Sequence, residues 1–287
     1  MLLASAAIWG GSYSLSKRAL EDIPVQWLLA LRMGGAVVLM TAFFGRRLHR
    51  GISRRVLLWG SASGAVYYVA FLLQTMGLQG MASGRNAFLT AAYCAVTPFL
   101  LWIFRRRAPG VQHIAASVLC LGGVGLVASS QSGGIGAGIP PGVADAITLA
   151  GAVAWACYFF SVGTLSISYD PIVLTFIAFA SSGVLSLLGA FATESIPSVE
   201  SLDGGTLACL AALLVVTFLA QLLENIGIAG TPPNEASILL CTETLFALAF
   251  SVTFLGERPG FSAMEGFALI FLSIVLSELP HRLHQVQ

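Results

Sequence analysis

Two similar stretches decide the fold. From Gly77 to Gly110 the chain reads GLQGMASGRNAFLTAAYCAVTPFLLWIFRRRAPG, and from Gly227 to Gly260 it reads GIAGTPPNEASILLCTETLFALAFSVTFLGERPG. The two stretches align without a gap. Each has a turn, then a long apolar run, and then a charged turn that ends in Pro-Gly. Internal similarity of this kind indicates one structural unit used twice. The sequence therefore predicts a duplicated fold.

The composition is that of an integral membrane protein. Of 287 residues, 57% are hydrophobic and only 9% are charged, whereas soluble domains carry roughly 25% charged residues. Apolar runs long enough to span a bilayer as helices recur along the chain. They are continuous and lack the alternation of a β-barrel strand. We therefore predict an all-α membrane protein, and a net charge of +1 gives no reason to expect a nucleic-acid partner.

Ten transmembrane helices fit between the Pro and Gly breakers. The predicted spans are 2–20, 25–44, 55–76, 83–104, 111–129, 143–164, 171–191, 205–227, 234–254 and 261–279. A loop rich in Gly, Ser and Pro lies near the middle of the chain. It divides a first five-helix repeat at 1–130 from a linker at 131–142 and a second repeat at 143–287.

The charged loops indicate that the two repeats are inverted, since an odd number of spans turns the second copy upside down. The loop between spans two and three is basic, whereas its equivalent at 193–205 has no Lys or Arg. The basic loop contains Arg46, Arg47, Arg50, Arg54 and Arg55, and the acidic one contains Glu194, Glu200 and Asp203. Basic loops stay cytoplasmic, so equivalent loops lie on opposite sides, as inverted topology requires.

This bias predicts a multi-pass protein of the cell (inner) membrane with both termini in the cytoplasm. Lys17 and Arg18 run against it, because they follow the first span on the predicted outer side, where Glu21 and Asp22 offset part of their charge. The arginines after spans two and four outnumber these two cations and decide the orientation.

Short motifs along the whole chain resemble the drug/metabolite transporter superfamily, in its EamA type. They are Ile8-Trp9-Gly10-Gly11-Ser12 with Lys17, Pro24 and Arg32; Gln74 with Ser83 and Asn86-Ala87-Phe88-Leu89; and Glu243 followed by Leu255-Gly256-Glu257. The resemblance implies a ten-helix carrier with a central cavity that moves small metabolites, often outward. The family usually has Glu-Pro in span nine, whereas here Thr244 follows Glu243, which leaves a helix break at that point open.

Glu243 is the deepest carboxylate, near the middle of span nine, and Tyr93 stands at the matching position of span four. A charge at that depth costs about 2.5–3.5 kcal/mol on insertion scales, which makes it a functional candidate. Glu243 is predicted to bind a proton or a substrate cation in the cavity. The alternative is a structural hydrogen-bond acceptor that ties span nine to a neighbour.

Glu224 is a second candidate, near the end of span eight, with Gln221 and Thr217 on the same helical face. Its match in the first repeat is Gln74, which shares a face with Tyr67. The repeats thus place polar side chains at one level, so Glu224, Gln74 and Tyr67 are predicted to line the cavity. Hydrogen bonding between helices is the competing interpretation.

Span four carries one polar face, on which Asn86, Thr90, Tyr93 and Thr97 follow helical spacing. Such a face avoids lipid, so these residues are predicted to line the cavity, with contact to other helices as the alternative. Pro98 ends the face and is predicted to kink the helix, because it removes a backbone hydrogen bond. Kinked helices at matching positions point to transporter sites.

Two aromatic faces, with Trp9 and Tyr13 on span one and Trp155 and Tyr158 on span six, are predicted to form cavity walls for a flat or apolar part of the substrate. Ordinary packing or an interfacial aromatic belt is the alternative. Arg32 lies within span two and suits an anionic substrate group, but snorkelling or pairing with a carboxylate is the favoured role.

We predict a secondary-active or facilitative transporter of amino acids, nucleobases or amphipathic drugs, with export favoured. It would work by alternating access at a midplane site, in the lipid bilayer, as a monomer or homodimer. The chain has no P-loop motif, and neither a cofactor nor a metal is predicted. A channel or a non-transporting receptor is the alternative, although charged rings are not evident. An intramembrane enzyme is least favoured, because His-Glu-x-x-His is missing.

Overall fold

The computed structural model describes residues 1–106, 110–129, 140–197, 202–256, 258 and 260–278. Within these ranges the chain forms twelve helical segments and no β-strand. They are α1 (Leu2–Ala19), α2 (Val25–Gly51), α3 (Arg54–Gln79), α4 (Ser83–Thr90), α5 (Tyr93–Arg105), α6 (Val111–Ser129), α7 (Pro141–Leu165), α8 (Pro171–Thr193), α9 (Gly204–Ala229), α10 (Pro233–Cys241), α11 (Glu243–Leu255) and α12 (Phe261–Glu278). Six stretches in the described ranges are long and apolar enough to cross a membrane. The prediction of an all-α membrane fold is confirmed.

Ten helical rods result, because α4 continues into α5 and α10 into α11. The continuous helices predicted at 83–104 and 234–254 were therefore wrong in one respect, since each is interrupted near its middle, at Ala91–Ala92 and at Thr242. The two interruptions fall at matching positions of the aligned stretches. At each interruption the backbone forms hydrogen bonds across three residues in place of the α-helical bonds across four.

Two predicted boundaries also differ from the structure. The second span continues to Gly51, so Arg46, Arg47 and Arg50 belong to the last turns of α2 instead of a loop. The predicted linker at 131–142 lies mostly outside the described residues, and its last two positions open α7. Proline fits there because the first turn of a helix needs no hydrogen bond from its nitrogen.

Contacts between the halves show that they run in opposite directions. Near the end of α2, Arg47 Nε lies 2.6 Å from Oδ2 of Asp170, which caps the start of α8. At the opposite end of the bundle, Arg18 at the end of α1 lies 2.8 Å from Oδ2 of Asp203, which caps the start of α9. Since α7 leads into α8 at the end where α1 begins, α1 and its counterpart α7 are antiparallel, as inverted repeats require.

Polarity in the bundle is reversed relative to a soluble protein. The outer surface carries large apolar side chains such as Phe43, Phe104 and Phe254, which are 69%, 65% and 71% exposed. By contrast, α1 buries the hydroxyl groups of Ser5, Ser12, Ser14 and Ser16. A lipid-facing surface must be apolar because hydrocarbon offers no hydrogen-bond partners, so polar α1 belongs at the centre.

Candidate functional site

A cavity lies at the centre of the bundle, where both halves contribute side chains. Its volume is about 30 Å³, which leaves room for two or three water molecules. The lining residues come from eight of the helical segments and from both repeats: Trp9, Ser12, Tyr13, Ser16, Arg32, Phe71, Gln74, Thr75, Leu78, Thr90, Tyr93, Trp155, Phe159, Glu224 and Glu243. The described residues therefore form a small chamber between the repeats, in which polar and charged side chains face an apolar, largely aromatic wall.

The interrupted helices position two of these residues. Ala92 N donates to Leu89 O at 3.2 Å and Cys94 N to Ala91 O at 3.1 Å, which are bonds across three residues instead of four. In the other half, Thr242 N donates to Leu239 O at 3.3 Å in the same manner. Such 3₁₀ turns within a helix often mark functional positions. Each turn ends where α5 or α11 begins, which places Tyr93 and Glu243 at matching sites in the cavity wall.

The helix interruption differs from the expected one in two ways. Pro98 lies inside α5, so the predicted kink occurs at Ala91–Ala92 instead of at the proline. The second interruption forms although Thr244 replaces the proline that the family pattern leads one to expect, and Thr244 Oγ1 donates to Cys241 O at 2.8 Å. A side-chain hydroxyl that competes for a helix carbonyl bends the helix without proline.

Glu243 is 6% exposed and belongs to a hydrogen-bond chain that crosses the repeats. Tyr13 Oη donates to Glu243 Oε1 at 3.2 Å, and Gln74 Nε2 donates to Tyr13 Oη at 2.6 Å. Gln74 Nε2 also lies 3.4 Å from Thr90 Oγ1. The chain thus orients the carboxylate by groups from α1, α3 and α4, and a buried carboxylate held by neutral donors is able to accept a proton or a cation.

Glu224 belongs to a second network that leads away from the cavity. Gln221 Nε2 donates to Glu224 Oε1 at 2.5 Å and to Asn225 Oδ1 at 3.1 Å. Asn225 Nδ2 in turn donates to Thr175 Oγ1 at 2.8 Å and to Tyr158 Oη at 2.9 Å. This network therefore ties α9 to α7 and α8 while the carboxylate of Glu224 faces the chamber.

Aromatic rings form one wall of the cavity. Phe71 lies 5.5 Å from Trp9 and 5.0 Å from Trp155 between ring centroids, and Phe159 lies 5.4 Å from Trp155 and 4.9 Å from Tyr93. Trp9 and Trp155 are 5% and 4% exposed, which excludes an interfacial aromatic belt. Tilted and edge-on contacts at these distances are the favoured geometries for aromatic pairs.

Arg32 adopts neither arrangement favoured from the sequence. It is 1% exposed, so its guanidinium does not snorkel to the membrane surface. Nε donates to Thr217 Oγ1 and Nη1 to Ser16 Oγ, both at 3.0 Å. Among the described residues no carboxylate oxygen lies within 4.0 Å of it, and Nη2 has no hydrogen-bond partner. Arg32 thus brings an unneutralised cation to the cavity.

Eight of the eleven residues predicted for the site line the cavity: Trp9, Tyr13, Gln74, Thr90, Tyr93, Trp155, Glu224 and Glu243. Three lie behind its wall. Tyr67 packs its ring 5.6 Å from that of Trp155, Asn86 donates to Thr148 Oγ1 at 3.0 Å, and Tyr158 donates to Asn225 Oδ1 at 3.3 Å. Asn86 and Tyr158 thus hydrogen-bond residues of other helices, whereas Tyr67 joins the aromatic cluster and its hydroxyl has no partner among the described residues.

Seven lining residues are absent from the predicted set: Ser12, Ser16, Arg32, Phe71, Thr75, Leu78 and Phe159. Helical spacing offered a signal for some of them, since Ser12 and Ser16 share a face with Trp9, and Phe159 follows Tyr158 on the aromatic face of α7. Leu78 and Thr75 offered none, because an apolar or weakly polar residue within a span has no distinguishing pattern.

Comparison with known proteins agrees with this architecture. An uncharacterized transporter of Archaeoglobus fulgidus is 22% identical over 274 residues, which are 96% of this chain and 83% of that protein. A solved crystal structure superposes with a TM-score of 0.73 at 16% identity, over 97% of this chain and 95% of the other. At this identity the structural likeness shows the fold alone. The model of the EamA-like transporter family matches residues 1–129 and again 143–279. The chain is therefore a membrane transporter that belongs to the EamA-like transporter family.

Proposed function

We propose that the protein is a secondary carrier that binds a small metabolite in the central cavity and releases it by alternating access. The observation that carries this proposal is the position of Glu243, a buried carboxylate at the interruption of a helix, in a chamber built from both inverted repeats. Transporters of inverted-repeat architecture bind substrates near the midplane, where discontinuous helices meet.

The size of the cavity supports a mechanism with a conformational change. Ligand pockets commonly measure 300–1,000 Å³, far more than the chamber of about 30 Å³ seen here. A metabolite therefore requires the two halves to move apart on one side or the other. The interruptions at Ala91–Ala92 and Thr242 are suitable hinges, since their backbone hydrogen bonds are already rearranged.

Charge in the cavity supports coupling to a cation. Glu243 and Glu224 together carry two negative charges when ionised, against one positive charge on Arg32. A net negative charge in a low-dielectric chamber is unfavourable, so a proton or an amphipathic cation would restore neutrality. An amino acid has no net charge and would restore neutrality only together with a proton. The aromatic wall accommodates the apolar part of either substrate. Nucleobases fit the wall alone.

The arginine distribution supports an orientation in the inner membrane. Arg46, Arg47, Arg50, Arg54 and Arg55 all lie at the end of the bundle where α1 begins. The opposite end carries Glu21, Asp22, Asp145, Glu194 and Asp203 beside its few cations. We place the basic end, and with it both termini, in the cytoplasm. Export is the direction that the family resemblance implies.

The decisive experiment replaces one carboxylate. Wild-type protein and Glu243→Gln are reconstituted into liposomes, and uptake of amino acids, nucleobases and amphipathic amines is followed with and without a pH gradient. Wild type should show saturable uptake that the gradient accelerates, and Glu243→Gln should lose that acceleration and at least tenfold in rate while staying folded. Glu235→Gln is the matched control, since Glu235 opens α10 but is exposed. Unchanged gradient-driven uptake by Glu243→Gln would refute the proposal, and a current linear in concentration would indicate a channel.

A further inference from the structure

Arg32 is a buried cation in the cavity, and the role proposed for Glu224 and Glu243 does not account for it. We propose that Arg32 binds the carboxylate group of the substrate and that the substrate is a small zwitterion of the amino-acid type. The inference rests on the proposed transport function. It adds a second recognition point, on the first repeat, to the carboxylates of the second.

One edge of the Arg32 guanidinium group is held in place while the other is free to bind a ligand. Thr217 Oγ1 and Ser16 Oγ accept from Nε and Nη1 at 3.0 Å each, which fixes the plane of the group through α9 and α1. The guanidinium carbon lies 4.9 Å from the centroid of the Phe71 ring, so an aromatic face covers it on one side. Nη2 remains without a partner in the described part of the chain. An anion in the cavity would complete the shell.

Energetics favour an anionic ligand at this place. A buried charge without a counter-ion is strongly unfavourable, and neutral hydroxyl partners compensate for only part of its lost hydration. Arginine presents donors that match a carboxylate in plane and spacing. Two further donors that line the same cavity, Trp155 Nε1 and Tyr93 Oη, have no hydrogen-bond partner in the described residues. Together with Arg32 Nη2 they leave three groups, unpaired within the described ranges, that are able to donate a hydrogen bond to a ligand in the chamber.

The other charges define the class of substrate. Glu224 and Glu243 line the same small cavity as Arg32, so a ligand with only negative charge would be repelled by two carboxylates. A phosphate ester brings about two negative charges and meets a single arginine. A zwitterion places its carboxylate at Arg32 and its ammonium group at the glutamates, so each of its charges meets an opposite charge. Because its net charge is zero, it leaves one glutamate free to take up the coupling proton.

This arrangement predicts discrimination against analogues that lack the carboxylate. A site built to hydrogen-bond a ligand group rejects the analogue without it, because its own buried groups stay unpaired. An amine produced by decarboxylation keeps the side chain and the ammonium group. It should therefore bind at least tenfold more weakly than the parent amino acid, although it has fewer charges to desolvate.

The experiment compares matched ligands on the same purified, full-length protein in nanodiscs. Thermal shifts are measured with the twenty common amino acids, and dissociation constants with each binder, its decarboxylated amine and its carboxamide. The variants are Arg32→Lys, Arg32→Gln and, as a control, Arg18→Gln, because Arg18 lies at the outer end of α1 in exposed ion pairs. Wild type and Arg18→Gln should prefer the amino acid at least tenfold over both analogues. Arg32→Lys and Arg32→Gln should lose that preference while still binding the amine, and Arg32→Gln should bind it at least as tightly as wild type because a positive charge near the glutamates is removed.

Three outcomes would overturn the inference. They are equal affinity of wild type for the amino acid and its amine, retained preference in the Arg32 variants, and no response to any amino acid. The comparison of ligands on wild type alone decides the matter if the variants do not fold. None of these outcomes bears on the proposed carrier function. Only unchanged gradient-driven uptake by Glu243→Gln would refute that function. Uptake of amines or nucleobases without amino-acid binding would uphold the carrier and defeat the role of Arg32.

Discussion

The two halves of the cavity share a framework and differ in charge. At matching positions the first half has Gln74 and Tyr93, which are neutral, and the second has Glu224 and Glu243, which are acidic. The cation Arg32 comes from the first half. An inverted repeat thus supplies a symmetric frame with matching helix interruptions, and a few substitutions turn that frame into a chamber with a positive and a negative side.

The difference also assigns tasks to the halves. Gln74 donates to Tyr13, and Tyr13 donates to Glu243, so neutral groups of the first half orient the carboxylate of the second. Phe159 lies where the repeat alignment matches Tyr13, and it has no hydroxyl group. The second half therefore provides the negative charges, whereas the first provides the cation and the neutral donors that orient Glu243. Symmetry is kept in the backbone and abandoned in the side chains.

The two halves also differ in the residue that packs against the helix interruption. In the second interruption, between α10 and α11, that neighbour is Gly10 of α1. A methyl group at Gly10 would lie 2.5 Å from Phe246 Cβ, 2.7 Å from Ala247 N and 2.8 Å from the carbonyl oxygen of Glu243. Its counterpart Ala156, next to Trp155, already carries a methyl group and is fully buried. At the second interruption α1 therefore approaches so closely that only glycine fits at position 10.

Gly10→Ala should have the largest effect on the folded protein. The added methyl meets backbone atoms that cannot rotate away, and overpacking of this kind costs about 1–3 kcal/mol. We expect a fall in the midpoint of thermal unfolding of roughly 2–12 °C and loss of transport, because Glu243 is displaced. Gly11→Ala is the control, since its methyl would lie an ordinary 3.5 Å from the Phe250 ring. Equal stability of the two variants would show that the close approach is not essential.

The sequence revealed what the repeats have in common. The alignment of the repeats pairs Tyr93 with Glu243 and, three residues before the two stretches, Gln74 with Glu224, and all four line the cavity. Their polarity within apolar spans is a local signal. The inverted orientation was equally predictable, because it follows from an odd number of spans and from where the arginines lie.

What the sequence did not reveal depends on contacts between distant helices. Pro98 suggested the wrong position for the helix interruption, because the hydrogen bonds that rearrange at Ala91–Ala92 leave no mark in residue type. Tyr67 was predicted to line the cavity, but its ring packs against Trp155 behind the cavity wall. Arg32 resembled a snorkelling side chain, and only the positions of Ser16 and Thr217 show that it is held inside.

Tyr13→Phe should have an intermediate effect and makes the two halves alike at this position. It removes the donor to Glu243 and the acceptor from Gln74 while keeping the ring. One net hydrogen bond contributes about 1 kcal/mol, so we expect roughly a fivefold loss of gradient-driven uptake with little change in stability. Tyr68→Phe removes a hydroxyl that bonds Gln26 outside the cavity and serves as the control. Equal uptake by the two variants would contradict a role for Tyr13 in orienting Glu243.

The smallest effect concerns the caps of two matching helices, α3 and α9. Ser53 Oγ accepts from Val56 N at 3.3 Å, and Asp203 Oδ1 accepts from Thr206 N at 2.6 Å. The Thr206 hydrogen bonds, together with Arg18, hold the pKa of Asp203 below the ordinary aspartate value. Replacement of either cap by Ala should lower the midpoint of unfolding at neutral pH by about 2 °C.

Only the acidic cap should respond to pH. Because the folded pKa of Asp203 is depressed, its stabilisation is complete above the ordinary aspartate pKa of about 4 and is lost as the pH falls through the lower folded value. The gap between wild type and Asp203→Ala should therefore begin to narrow below about pH 4, whereas the gap for Ser53→Ala should stay constant. Thermal unfolding measured from pH 7 to pH 3 tests this. A constant gap for Asp203→Ala would mean that its charge contributes nothing and that the two caps, like the two backbones, are equivalent.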